Sequence, residues 1–368
     1  MAKHLHNLYI HDYRGIHELN LSSLNDINIF TGNNNCGKTS VLELISTIGN
    51  SQDLNAWELC SRMKNVRSMQ RLYYNGFYNI FPIDCDEKKI VYEYTDVDMQ
   101  VHKIELKAEI SKEQVSEENI YKMNGFTRCH KKNNYEFIES QCMHLSIFHN
   151  GKIVNKDCIY DFQTMLKEKK LRKTDNHQMM ISKIIYISPT SHVQGHLLLD
   201  KIISDSKLYD ELLHILKEFD DSIISVNAIH NSATPYSTDY VILTRNHKEA
   251  LPLASYGDGM KKAILLLSAI VEARDGILLL DEFETAIHTS AMDSIFSWLL
   301  KSALKFHVQV FLTSHSKEAI EKLLKVDESL KSHIHLYTLY DYNGKNYVRM
   351  MNCEEAIHAQ DILGLELR

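Results

Sequence analysis

The chain has 368 residues, 44% of them hydrophobic, with 4 prolines, 13 glycines and a net charge of −7. This composition excludes disordered and collagen-like classes and leaves enough length to bury a sizeable core. No apolar run reaches the ~18 residues of a membrane helix, the opening "MAKHLHNLYIHDYRG" lacks a signal-peptide core, and the acidic balance argues against a surface built for nucleic acid; a soluble, cytoplasmic protein is expected.

The first element with chemical content is "INIFTGNNNCGKTSVLELI". Ile27, Ile29 and Phe30 predict a strand that runs into Gly32. After four intervening residues come Gly37, Lys38 and Thr39, followed by Val41, Leu42, Leu44, Ile45 and Ile48 at helical spacing. This is the strand–GxxxxGK[ST]–helix order of a phosphate-binding loop. The glycines let the chain wrap closely, so that backbone N–H groups point inward at phosphate oxygens, and the helix aims its positive end at the same anion. Asn33, Asn35, Cys36, Gly37 and Ser40 are expected to line this cradle for a nucleotide such as ATP. Lys38 adds a charge on the outer phosphates, and the Thr39 hydroxyl is a ligand for Mg²⁺.

The middle of the chain carries texture but no matching motif. Residues 88–110 and 142–157 alternate in the manner of strands, the second with an Asn150-Gly151 hairpin signal. The basic run "KEKKLRK" at 167–173 reads as a solvated helix end. Residues 196–219 place Leu198, Ile202, Leu208, Leu212, Ile215, Leu216 and Phe219 in reach of one helical face. The 7 cysteines include no C-x-x-C pair, so Cys129-His130 and Cys142-x-His144 read as ordinary reduced residues, not as a metal site.

Three further elements complete a nucleotide site. Ser255-Tyr256-Gly257-Asp258-Gly259 is a small-residue turn ahead of an apolar helix, hence a second helix N-terminus able to face an anion. One nucleotide does not need two such cradles from one chain, so the second is expected to close on the nucleotide of another copy. In "GILLLDEFETAIH", the apolar run 277–280 reads as a buried parallel strand. Asp281, at its carboxyl end, would hold Mg²⁺ and Glu282 would orient or deprotonate the attacking water. In "HVQVFLTSHSKEAI", another buried strand ends at Thr313-Ser314-His315, and His315 is placed to report the terminal phosphate.

The order of these motifs resembles ATP-binding-cassette ATPases, and within them the RecF, SMC and OLD group, often called AAA family ATPases. The likeness runs over residues 3–50 and 235–325. It implies an α/β fold: an ABC-type P-loop NTPase domain with an inserted antiparallel β subdomain and a helical lid. A single domain over 1–368 is expected, with a core at 1–50 and 235–340, a β-rich insertion at 51–195, a lid at 196–234 and a strand/helix tail at 341–368. It further implies Arg14 beside the nucleotide, and Ser255 and Gly257 acting across a homodimer that can build into higher oligomers, with Gly259 of the same turn also at the nucleotide. Residues 283–288 would cross between subunits, with His288 where transporter cassettes carry an Asp. The Q-loop glutamine stays open among Gln52, Gln70 and Gln194. No long heptad run is evident, so a coiled-coil arm is absent or a stub. The roughly fifty residues after His315-Ser316 are expected to be too few for the TOPRIM nuclease of OLD-type enzymes.

Similarity to stand-alone members implies a sensor or switch that regulates a separately encoded effector, a nuclease above all, in bacterial antiviral defence. Two alternatives stay open: a RecF-like clamp with nucleic acid as partner, and a transporter ATPase, against which "ASYGD" replaces the Leu-Ser-Gly-Gly-Gln turn.

Overall fold

The computed structural model describes residues 3–61, 73–83, 85, 87–124, 136–164, 183–191, 199–230 and 238–361. Gln70, Gln194, Cys129-His130, Leu198 and the basic run at 167–173 lie outside them.

The chain opens with an antiparallel hairpin, β1 (Leu5–Tyr13) and β2 (Ile16–Leu21), followed by β3 (Ile27–Gly32) and α1 (Lys38–Thr47). After α2 (Tyr73–Tyr78) come β4 (Lys88–Asp96), β5 (Val101–Ser116), α3 (Glu117–Met123), β6 (Phe137–His149) and β7 (Lys152–Tyr160). The predicted Asn150-Gly151 turn joins β6 to β7 with both residues at positive φ, 49° and 76°, as a tight hairpin requires. Then follow β8 (Ile184–Ile187), α4 (Asp200–Ile203), α5 (Ser206–Leu216) and an antiparallel sheet of β9 (Ile223–His230), β10 (Thr238–Thr244) and β11 (Leu251–Pro252). The last third alternates α6 (Asp258–Glu272), β12 (Ile277–Leu280), α7 (Thr289–Lys305), β13 (Gln309–Thr313) and α8 (Lys317–Leu324). It ends with β14 (Ile334–Tyr342), β15 (Lys345–Asn352) and α9 (Cys353–Asp361).

Two six-stranded sheets organise these elements. One has the order β15-β14-β3-β13-β12-β8, parallel except for the β15 edge; the other, β2-β1-β4-β5-β6-β7, is antiparallel throughout. In the parallel sheet, successive side chains serve two cores. Leu278, Leu280, Val310 and Leu312 join the core shared with α6, α7 and α8, while Ile277, Leu279 and Phe311 join the core beneath α1 and the antiparallel sheet. Period-two alternation between two apolar layers is why these runs read as continuously hydrophobic.

The domain boundaries differ from those expected. The 51–195 segment is not one unit: β4 to β7 extend a sheet that β1 and β2 begin, and β8 pairs in parallel with β12 as a strand of the core. A four-residue apolar run does not reveal which sheet it joins, because parallel pairing is non-local. The segment at 196–234, expected as a helical lid, supplies α5 to the core. Leu208, Leu212, Ile215 and Leu216 of α5 are buried in the core of α6 and α7, and Trp298 Nε1 of α7 donates to Glu211 at 3.0 Å. The apolar face read from the sequence is spent supporting the helix that follows the 255–259 turn.

Candidate functional site

The phosphate loop is shaped by three positions at positive φ: Gly32 at 135°, Asn35 at 63° and Gly37 at 96°. A Cβ on Gly32 would lie 2.1 Å from the Leu339 carbonyl oxygen of β14, and one on Gly37 would lie 2.9 Å from Ile16 Cδ1 of β2. The loop is thus moulded against a strand on one side and the first hairpin on the other. Gly37 caps α1 without a side-chain bond, which leaves the first-turn N–H groups open to an anion. We expect Gly32→Ala to cost at least ~2 kcal/mol in urea unfolding and to abolish nucleotide binding, since strain and backbone overlap act together. A wild-type midpoint would show that β14 yields at no cost.

Lys38 is buried at 4% exposure and its ammonium is curled into the loop, donating to Gly32 O at 2.8 Å and Asn33 O at 2.7 Å. These are backbone acceptors that a phosphate can replace. Asn33 and Asn35 are exposed, Cys36 is buried beneath them, and Ser40 is half-buried at the start of α1.

Four elements converge on Asp281 at the end of β12. Oδ1 accepts from Thr39 Oγ1 at 3.1 Å and Thr313 Oγ1 at 2.6 Å, and Oδ2 accepts from Tyr186 OH at 3.1 Å. The Thr39 hydroxyl and Asp281 carboxylate, expected to share a metal, are thus in direct contact. Their oxygen chemistry fits Mg²⁺, which takes one or two carboxylates, hydroxyls and water. Glu282 follows at φ 43°, a sparsely populated conformation for a non-glycine residue. It is held there by its N–H, which donates to Thr313 Oγ1 at 2.8 Å. Strain of this kind, roughly 1–3 kcal/mol, persists where neighbours over-determine it.

His315, half-buried beyond β13, is positioned by Glu284. Glu284 Oε1 accepts from Ser314 Oγ at 2.8 Å, His315 N at 3.1 Å and Ser316 N at 3.2 Å. Sequence reasoning assigned no role to Glu284, Thr313 or Tyr186. The second carboxylate of Asp-Glu-x-Glu was a visible signal for Glu284, whereas Tyr186 carried none because its strand is short and distant in sequence.

Arg14 does not project freely at the nucleotide. Its guanidinium pairs with Glu43 Oε2 of α1 at 2.9 Å and also donates to the Cys60 carbonyl. These contacts tie the turn after β1 to α1. Ser255 and Gly257 are exposed at the N-terminus of α6, and among the described residues no hydrogen bond links this turn to residues 32–39. Gly259 lies against the segment expected to cross between subunits: a Cβ there would meet Ala286 O at 3.1 Å. His288 caps α7, its Nδ1 accepting from Ser290 N at 3.3 Å. Of the three Q-loop candidates only Gln52 is described, and its carbonyl accepts from Asn155 Nδ2 at 2.8 Å.

Away from this site, β5 and β6 bring donor atoms of Glu113, Cys142 and His144 within 4.8 Å of one another. Burial pushes the Cys142 thiol up to about 12, and His144 and Tyr160 both hydrogen-bond Glu113.

A phosphate loop, an acidic strand end, a polar third strand end and a detached small-residue turn, set on a parallel sheet backed by an antiparallel one, define an ABC-type P-loop NTPase domain. Residues 198–321 match the family model described as "AAA domain, putative AbiEii toxin, Type IV TA system". An ATP/GTP phosphatase of Helicobacter pylori is 26% identical over 346 residues, 88% of each chain. An uncharacterized protein of Methanocaldococcus jannaschii is 32% identical over 114 residues, 30% of this chain and 98% of its own. An Smc head solved bound to the C-winged helix domain of ScpA superposes with a TM-score of 0.52 at 10% identity, covering 96% of this chain and 99% of that one. The chain is an AAA/ABC-type ATPase like those of the RecF, SMC and OLD group. Among the described residues, no helix is long and apolar enough to cross a membrane.

Proposed function

We propose that this chain is a Mg-ATP-dependent switch: two copies close head-to-tail over two nucleotides, and hydrolysis releases them. The observation that carries this reading is the exposure of Ser255 and Gly257 on a helix N-terminus separate from the loop of Lys38. Each chain thereby offers a loaded cradle and a second, unfilled one, and two copies satisfy both. ATP favours the closed form because its phosphates contact both subunits.

Lys38 and the N–H groups of the loop bind the phosphates. Thr39 and Asp281 would hold Mg²⁺, which supplies positive charge to the phosphate oxygens. Glu282 takes the proton of the attacking water, and His315, held through its backbone by Glu284, faces the γ-phosphate. Similarity to the Helicobacter ATP/GTP phosphatase supports this assignment. The description of the matching family, with its toxin and Type IV TA system, supports a defence role in which closure restrains or loads a separately encoded, nuclease-like effector.

Light scattering tests the switch directly. The wild type is expected to double in mass in Mg-ATP, and Ser255→Arg is expected to stay monomeric while binding nucleotide normally. A wild type that remains monomeric at saturating ATP, or a Ser255→Arg variant that still dimerises, would remove the proposed seam.

A further inference from the structure

β5 and β6 pair with Ser111 opposite Cys142 and Glu109 opposite His144, and β7 sets Tyr160 opposite Cys142 and Cys158 opposite His144. Side chains two apart on a strand share a face. Glu113, Cys142, His144, Cys158 and Tyr160 therefore stand on one face of the antiparallel sheet. Met143 and Leu145, which alternate with them on β6, are buried in the core beneath α1, so the cluster occupies the opposite face. Cys142 is fully buried in a small apolar core with Val115 and Tyr160, against which Ile120 and Met123 of α3 and Cys158 pack. Beside that core, His144 Nε2 lies 2.8 Å from Glu113 Oε1 and 3.0 Å from Ser111 Oγ. Glu113 Oε2 accepts from Tyr160 OH at 2.8 Å, which leaves Oε1 turned toward the imidazole. The donor atoms of Glu113, Cys142 and His144 all lie within 4.8 Å of one another, the only such group of His, Cys, Asp and Glu among the described residues.

We infer that Glu113, Cys142 and His144 form a zinc site on this outer face of the β5–β6–β7 sheet, separate from the Mg²⁺ expected at Asp281. Two ligands of one tetrahedral Zn²⁺ stand about 3.2–3.8 Å apart, so small side-chain rotations close the three donors around one ion. A thiolate, an imidazole and a carboxylate together suit Zn²⁺, whereas Mg²⁺ and Ca²⁺ take oxygen alone. Tyr160 supplies the outer hydrogen bond that fixes the orientation of the ligating carboxylate. Water or Cys158, directly across from His144, completes the tetrahedron. On binding, the Cys142 S–H releases its proton to solvent and the sulfur bonds the ion. The pairing of β5 with β6 adds the ligand that the Cys142-x-His144 spacing lacks by itself. Once held, the ion pins these two long strands together. The site needs neither a nucleotide nor a second copy, so it stands or falls apart from the dimer.

The full chain, reduced and stripped with a chelator, is titrated calorimetrically with Zn²⁺ alone in the absence of nucleotide. One Zn²⁺ per chain should bind with a Kd of ~1 μM or below. His144→Ala, at an exposed position, should weaken binding by at least ~100-fold, because losing a ligand exceeds the ~10–100-fold cost of losing a group that only orients one. With Co²⁺ as the probe, the wild type should show a thiolate-to-metal charge-transfer band that Cys142→Ala abolishes. If Cys142→Ala does not fold, the wild-type cobalt spectrum and His144→Ala carry the test between them. A wild type that takes up no Zn²⁺, a cobalt complex without the thiolate band, or wild-type affinity in His144→Ala overturns the site.

Discussion

Glu282→Gln is expected to lower ATP turnover by ~10²–10⁴-fold while leaving nucleotide affinity near the wild-type value. Glutamine keeps the shape and the strained backbone at φ 43°, and the N–H bond to Thr313 Oγ1 is a main-chain contact that substitution does not remove. What is lost is the carboxylate that accepts the water's proton. Closure depends on bound ATP and not on its cleavage, so the variant should accumulate as a stable dimer. Single-turnover hydrolysis separates this from a binding defect, and light scattering shows the trapped species. Unchanged turnover would take Glu282 out of the chemistry and leave Asp281 or Glu284 to be considered.

Lys38→Ala should instead fail at the binding step, losing on the order of 100-fold in ATP affinity, the scale of two charge-assisted hydrogen bonds. Its ammonium currently satisfies Gly32 O and Asn33 O, so removal also frees two carbonyls of the loop. Those carbonyls belong to a loop whose neighbours Asn33 and Asn35 are exposed, and water can replace the lost donor. Thermal stability should therefore move far less than affinity does. Titration with a fluorescent ATP analogue measures the loss; retained tight binding would mean that the backbone cradle suffices by itself. The two variants fail in opposite ways, one bound and unable to turn over, the other unable to bind.

Much of the site was legible because its parts are local in sequence. Gly32, Gly37, Lys38 and Thr39 lie within one loop, and their spacing alone requires a chain that wraps an anion. The ends of β12 and β13 were readable because a strand buried on both faces carries apolar residues throughout and can present polar ones only where it leaves the sheet. Asp281-Glu282 and Thr313-Ser314-His315 mark those exits. The partner of Arg14 was less legible: Glu43, which pairs with its guanidinium, lies in the first helix and carries no sequence signal of that contact.

The sequence by itself determined the loop, the two acidic and polar strand ends and the small-residue turn, since each depends only on residue type and near-neighbour spacing. The tertiary structure alone decided that β3, β13, β12 and β8 lie side by side, so that Thr39, Thr313 and Tyr186 meet on Asp281. It also decided that the first hairpin heads the antiparallel sheet, and that the Lys262 side chain is fully buried in α6. Parallel pairing and burial arise from contacts between residues far apart along the chain, and no local pattern encodes which distant strand will be the neighbour.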